Sequence, residues 1–229
     1  MQKKQGTTQT FDTPAPVSVV LDIPAGHIRF IAADRADTTV EVLPSDASKS
    51  RDAKTAEQTE VAFDGGVLRI RTQAPSNRFI GPSGSLEVTV QLPAGSRIEA
   101  KAASAELRGV GRLGDVAFEA PQASVKLDET AGAHLTLQAG DVSVGRLGGP
   151  AEISTQKGNL HIAEAMGGTV TLKTQQGDIS VGAARGVSAS LDAGTGYGRV
   201  QNSLKNADGA AALNIHATTA YGDISASSL

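Results

Sequence analysis

Gly140-Asp141-Val142-Ser143-Val144, Gly158-Asn159-Leu160-His161-Ile162, Gly177-Asp178-Ile179-Ser180-Val181 and Gly222-Asp223-Ile224-Ser225-Ala226 are four versions of one pentapeptide. Three weaker versions extend the series: Ala105-Glu106-Leu107-Arg108, Ala123-Ser124-Val125-Lys126-Leu127 and Gly198-Arg199-Val200-Gln201. The anchors 105, 123, 140, 158, 177, 198 and 222 lie 18, 17, 18, 19, 21 and 24 residues apart, with a mean of 19.5. A repeat near 20 residues is the mark of stacked structural units.

A second alternating segment falls inside each period. Examples are Val116-Ala117-Phe118, His134-Leu135-Thr136-Leu137, Glu152-Ile153-Ser154, Thr169-Val170-Thr171-Leu172, Ser188-Ala189-Ser190-Leu191 and Leu213-Asn214-Ile215-His216. Two short strands cannot bury their apolar faces alone, whereas coils stacked about 4.8 Å apart pair every strand with its neighbours. The expected fold is therefore all-β: a parallel β-helix-like solenoid of about 19-residue coils. Period-two alternation places Leu107, Val125, Val142, Leu160, Ile179, Val200 and Ile224 in one internal stack. Arg108, Lys126, Ser143, His161, Ser180, Gln201 and Ser225 form the outward column beside it. Thr136, Ser154, Thr171, Ser190 and Asn214 are expected to form a second outward column.

The first part of the chain is β-rich but irregular. Residues 1–95 hold seven of the nine prolines and seven of the 26 glycines, so the architecture changes near Gly95. Residues 1–10 are expected to be a flexible tail, 11–100 an N-terminal cap that runs into the solenoid, and 101–229 the repeats, as one continuous domain 11–229. Thr39–Leu43 and Val67–Arg71 alternate as half-buried strands, the latter after an Asp64-Gly65-Gly66 turn. Ser50–Glu60 suits one short helix. Ile23-Pro24-Ala25-Gly26 and Leu92-Pro93-Ala94-Gly95 look like equivalent elements. Phe11, Phe30, Phe63 and Phe79 are expected to build the cap, because an open coil edge invites pairing with other chains.

Composition narrows the function. The 229 residues contain no Cys or Trp, seven aromatics in all, and a net charge of −3. No disulfide framework or thiolate zinc site can form. Weak charge and few rings argue against nucleic-acid binding. With 39% hydrophobic and 20% charged residues, the chain is too apolar for disorder. Few aromatics fit a narrow lumen filled by Val, Ile, Leu and Ala. The apolar run Val17–Ile23 is too short for a secretory signal and no stretch is long enough for a membrane span, so the expected location is the cytoplasm.

Candidate chemistry is sparse. Asp141, Asn159, Asp178 and Asp223 recur after glycine. A calcium ladder is conceivable, but backbone bonding at turns explains Asp and Asn better, and Arg199 interrupts the column. His27, His134, His161 and His216 alternate with apolar neighbours and point outward, on different coils and columns, so no metal site is expected. Gly194-Thr195-Gly196-Tyr197-Gly198 lacks the lysine and helix of a phosphate loop. Glu119, Glu152 and Asp192 lie on non-adjacent coils, which argues against glycan cleavage. Tyr197 and Tyr221 occupy equivalent corners and should lie side by side. The final strand from Asp223 is expected to leave a free sheet edge. Tyr197, Tyr221, Asp223, Ile224 and Ser225 are thus the candidate interaction patch, for a protein partner or self-association.

Taken together, the Gly-Asp-Ile/Val-x-Val repeat, the opening Phe11-Asp12-Thr13-Pro14, the two Pro-Ala-Gly elements and the ending Thr219-Ala220-Tyr221-Gly222-Asp223-Ile224 resemble one family. It is the bacterial, actinobacterial-type β-strand-repeat family of unknown function whose members are often labelled adhesins. The resemblance spans about Phe11 to Ser225 and implies a β-solenoid, with no catalytic residues to carry over; no cofactor is expected. The expected function is a non-enzymatic structural or interaction scaffold, with an adhesin or carbohydrate binder as the alternative and a glycan-acting enzyme third.

Overall fold

Alternation of branched aliphatic and polar side chains makes strands of nearly the whole chain. The computed structural model describes residues 7–73, 84–206 and 210–229. Its elements begin with β1 (Thr7–Asp12), β2 (Ser18–Ala33), β3 (Asp37–Pro44), α1 (Ser50–Glu57), β4 (Thr59–Asp64), β5 (Val67–Thr72) and β6 (Leu86–Pro93). The 43-residue β7 (Arg97–Ala139) follows, then β8 (Val142–Leu147), β9 (Ala151–Ser154), β10 (Leu160–Ala165) and β11 (Gly168–Gln176). The last are β12 (Ile179–Ala183), β13 (Ala189–Tyr197), β14 (Val200–Ser203), β15 (Leu213–Tyr221) and β16 (Ile224–Ser228).

The strands pair in two parallel rows. One row runs β2, β7, β8, β10, β12, β16, β14, and the other runs β7, β9, β11, β15, β13. In the first row Val125 lies opposite Val142, Val142 opposite Leu160, and Leu160 opposite Ile179. Six of the seven residues expected in the internal stack are 1% exposed: Leu107, Val125, Val142, Leu160, Ile179 and Ile224. The apolar core runs unbroken from Val17 to Ile224. Its rings are few, and Phe30 and Phe118 are buried among aliphatic side chains. The expected second outward column splits into two neighbouring pairs, Thr136 with Ser154 and Ser190 with Asn214. Thr171 joins neither pair: it lies opposite Glu152 and His216, and Asn214 lies opposite Thr169.

Spatial order departs from chain order at the C-terminal end. Ile179 lies opposite Ile224, and Ile224 lies opposite Val200. The level formed by β15 and β16 therefore sits between β11/β12 and β13/β14. After Ala183 the chain steps out past one level, leaving a slot that its own last segment fills. The Ala212 N–H donates to Ser188 O at 2.9 Å and the Leu229 N–H to Ala183 O at 3.0 Å, holding the inserted level at both ends. The expectation that Asp223 begins a free edge is corrected: β16 has neighbours on both sides, and β14 is the outer strand. Val200, expected inside, is consequently 44% exposed.

The N-terminal end repeats the device. β2 pairs with β7 on one side and with β5 and β6 on the other. Both first and last levels are thus enclosed, which suppresses the fraying common at chain ends. β3 lies antiparallel on β6 and β1 on β3, so Thr7–Thr10, expected in a tail, belong to a ladder. β4 lies antiparallel on β5, with Gly65 and Gly66 at the expected hairpin turn. The expected helix forms as α1. Its buried Asp52 accepts the N–H groups of Ser85 at 3.0 Å and Asp46 at 3.2 Å, which ties it down. Phe11 and Phe63 meet at 5.2 Å in this region, while Phe79 lies outside the described residues. The two Pro-Ala-Gly elements are not equivalent: Gly26 lies opposite Leu86 and Ala105, whereas Pro93 lies opposite Ala33.

Candidate functional surface

The Asp and Asn residues after the corner glycines form a backbone-bonding ladder. Asp141 Oδ1 accepts the Asn159 N–H at 2.7 Å, and Asn159 Oδ1 accepts the Asp178 N–H at 2.8 Å. Asp178 Oδ1 then accepts the Asp223 N–H at 2.8 Å, and Asp223 Oδ1 the Arg199 N–H at 2.9 Å. Each side chain thus satisfies the corner amide of the next level. Asn159 performs this role without charge, so an acceptor oxygen is what the column requires. Arg199, which broke the column in sequence, stands last in space, with no further level for it to cap. Its guanidinium lies 3.5 Å from Asp223. Asp178→Ala is expected to cost about 1 kcal/mol, the value of one such bond, while Asp178→Asn stays near neutral. Urea denaturation of both variants checks the pair.

A parallel column of threonines escaped the sequence reading. Thr174, Thr219 and Thr195 donate to the carbonyls of Gly158 at 3.1 Å, Gly177 at 3.0 Å and Gly222 at 2.9 Å. The available signal was Thr-x-x-Gly at Thr155, Thr174, Thr195 and Thr219, three residues before each corner glycine. The hydroxyl and acceptor ladders together cross-link the corners at Gly158, Gly177 and Gly222.

The four histidines are exposed as expected. His27 faces Glu106 at 3.1 Å, His134 faces Glu152 at 3.6 Å and His216 faces Asp192 at 3.3 Å. His134 and His216 share one column, with Glu152 and Thr171 between them. Glu119 lies 3.2 Å from Lys101. Each carboxylate singled out for catalysis therefore faces a basic side chain of a neighbouring level. Displaced proton affinities occur at the other end. The Arg35 guanidinium holds the Asp37 carboxyl below its usual range, and hydrogen bonds from Ser48 do the same for Asp46.

A groove of about 500 Å³ runs across five levels of the second row. Arg97, Asp115, His134, Glu152, Thr169 and Thr171 line it. Its floor is low because Ala117, Gly132 and Pro150 stand at outward positions. Asp115 leans over Gly132, its Oδ1 2.7 Å from where a Cβ would be. The run of small outward residues was the signal for this groove.

Tyr197 and Tyr221 stack as expected, with ring centroids 5.0 Å apart and planes 4° from parallel. They are 71% and 55% exposed. Of the remaining candidate patch, Ile224 is buried, while Asp223 and Ser225 flank it within an enclosed strand. The exposed edge nearest the tyrosines is instead Val200–Ser203, exposed at every position.

A family model described as Toastrack DUF4097 matches residues 18–228. The chain belongs to the Toastrack DUF4097 family. None of the curated proteins matches it. Among solved structures, a putative adhesin from Parabacteroides distasonis is similar at 14% identity and TM-score 0.52, covering 97% of this chain and 98% of that one. A putative adhesin from Bacteroides fragilis is similar at 10% identity and TM-score 0.50, covering 98% of each chain. A putative lipid binding protein from Parabacteroides distasonis is similar at 12% identity and TM-score 0.50, covering 97% of each. At these identities the likeness is one of fold. This Toastrack chain has, among its described residues, no helix long and apolar enough to cross a membrane.

Proposed function

We propose that the chain is a non-enzymatic scaffold: a β-solenoid of about 19-residue coils that offers a rigid, polar face to a partner. The observation that carries this reading is the use of the outward side chains. Asp, Asn and Thr bond one level to the next, and His, Glu, Asp, Lys and Arg pair across levels. Such a surface is ordered and chemically repetitive, as a docking scaffold requires. A cytoplasmic location is part of this reading.

The groove at Arg97, Asp115, His134 and Glu152 favours a second reading, an adhesin or carbohydrate binder. Its mixed charges and hydroxyls suit a hydroxyl-rich chain laid across the levels, and two similar folds carry the description adhesin. Fractionation of the native host with glycan-binding measurements separates the two. Recovery with cytosolic proteins and no saturable glycan binding supports the scaffold. Recovery in the envelope, with saturable binding lost in Asp115→Ala/Glu152→Ala, supports the adhesin. Release of reducing ends from a glycan, lost in Glu152→Gln, overturns both in favour of an enzyme.

A further inference from the structure

We infer that two copies of this chain join end to end through β14, antiparallel about a two-fold axis beside Gln201. The inference rests on the stacked-level reading above and names one partner for it. The two ends of the stack differ. α1, β1, β3 and β4 cover the N-terminal end, whereas among the described residues β14 pairs with β16 alone and β13 has beyond β15 only the backbone bond from the Ala189 N–H to Lys205 O at 3.3 Å. The four large hydrophobic residues exposed among the described residues, Tyr197, Val200, Tyr221 and Leu229, all belong to the last two levels.

The backbone of β14 fixes the register. The Ile224 N–H donates to Arg199 O at 2.9 Å, and Val200 is the partner of Ile224. In a parallel ladder this directs Arg199, Gln201 and Ser203 toward β16, and leaves the N–H and C=O of Val200 and Asn202 aimed outward. Two donors and two acceptors spaced two residues apart match an antiparallel copy of themselves. Val200 of one copy then lies opposite Asn202 of the second copy, and Gln201 opposite Gln201. Natural free edges carry Lys, Pro or a bulge that prevents such pairing, yet Val200-Gln201-Asn202-Ser203 has none of these. No charge meets a like charge, because Arg199 comes opposite Ser203. A two-fold contact also closes on itself, so it yields a dimer and not a fibre.

The register supplies its own test. Gln201 meets its copy as a non-hydrogen-bonded pair, with Cα atoms about 4.5 Å apart, which is within disulfide range. The chain has no native cysteine. Full-length Gln201→Cys is oxidised mildly and compared with Ser143→Cys, an outward residue in mid-stack. Light scattering gives the mass of the unmodified chain, of Val200→Lys, and of Asn202→Pro, which removes an outward N–H together with the Oδ1 that accepts the Leu204 N–H. The expected results are a mass of twice 23.3 kDa for the unmodified chain, a single-chain mass for both edge variants, and a cross-linked dimer for Gln201→Cys alone. A single-chain mass for the unmodified protein, or cross-linking of Gln201→Cys no greater than that of Ser143→Cys, overturns the inference. If residues 213–228 remain protected from hydrogen exchange in that case, the scaffold reading stands without the dimer. If they are unprotected, both fall.

Discussion

A chain ending at Ala212 is expected to lose the order of residues 189–203 while the levels from β2 to β12 survive. Among the described residues β15 and β16 are the only strands pairing β13 and β14, so removing them leaves the outer level without a neighbouring strand. The deletion also removes the buried Leu213, Ile215 and Ile224. At about 1.5–3 kcal/mol for each large aliphatic side chain, the local loss is about 5–9 kcal/mol, comparable with the whole stability of a typical domain. The levels further down keep their own contacts, because a stacked protein is stabilised by nearest neighbours. Hydrogen exchange of the truncated chain is expected to show rapid exchange over 189–203 and at Ile179, whose N–H donates to Asp223 O in the deleted segment, with retained protection at Val142 and Leu160, whose N–H groups donate to Asn159 O and Asp178 O. If 189–203 stays protected, the outer level does not depend on the inserted one.

Gly222→Val is expected to be among the most damaging single substitutions at the corners. Gly222 has φ +149°, a conformation that L side chains rarely adopt. A Cβ there falls 2.1 Å from the carbonyl oxygen of Gly177, a backbone atom fixed in the ladder. Conformational strain and collision act together, and the neighbouring level cannot move without breaking its own bonds. A cost of about 3–5 kcal/mol follows. Gly186→Ala is the control. Gly186 has φ +80° with nothing within 4 Å of its Cβ position, so only the conformational cost of about 1–2 kcal/mol applies. Thermal melts of the two variants are expected to differ in that order. Equal effects mean that the close approach between levels contributes nothing.

The repeat made much of this fold legible, for a local reason. Alternation and corner glycines are properties of five-residue windows, so Val142, Leu160 and Ile179 declare their common column in sequence. The order of levels is not local. Nothing in Val200 distinguishes an inner level from an outer one, and sequence adjacency suggests the wrong neighbour for Ile179. The signal present was spacing: the anchors at 177, 198 and 222 are 21 and 24 residues apart, longer than the 17–19 before them. The additional residues carry the chain out past a level and back. Arg199 was the second signal, since a column that needs acceptors can tolerate arginine only at its end. In the N-terminal region, the matching Pro-Ala-Gly elements suggested the wrong equivalence, because turn chemistry recurs at corners that are not in register. The groove at Asp115 and Glu152 arises from what Gly132, Ala117 and Pro150 lack, and missing side chains at scattered positions form no motif.

The insertion of the last level between its two predecessors is best tested by disulfide mapping in this cysteine-free chain. Ser180 lies opposite Ser225, and Ser225 opposite Gln201, which leaves Ser180 and Gln201 two levels apart. Adjacent strands are about 4.8 Å apart and within disulfide range, while two levels span about 9.6 Å and are beyond it. Ser180→Cys/Ser225→Cys is expected to form an intrachain disulfide, identified by mass after proteolysis, and Ser180→Cys/Gln201→Cys is not. An intrachain bond between positions 180 and 201, with none between 180 and 225, contradicts the inserted order.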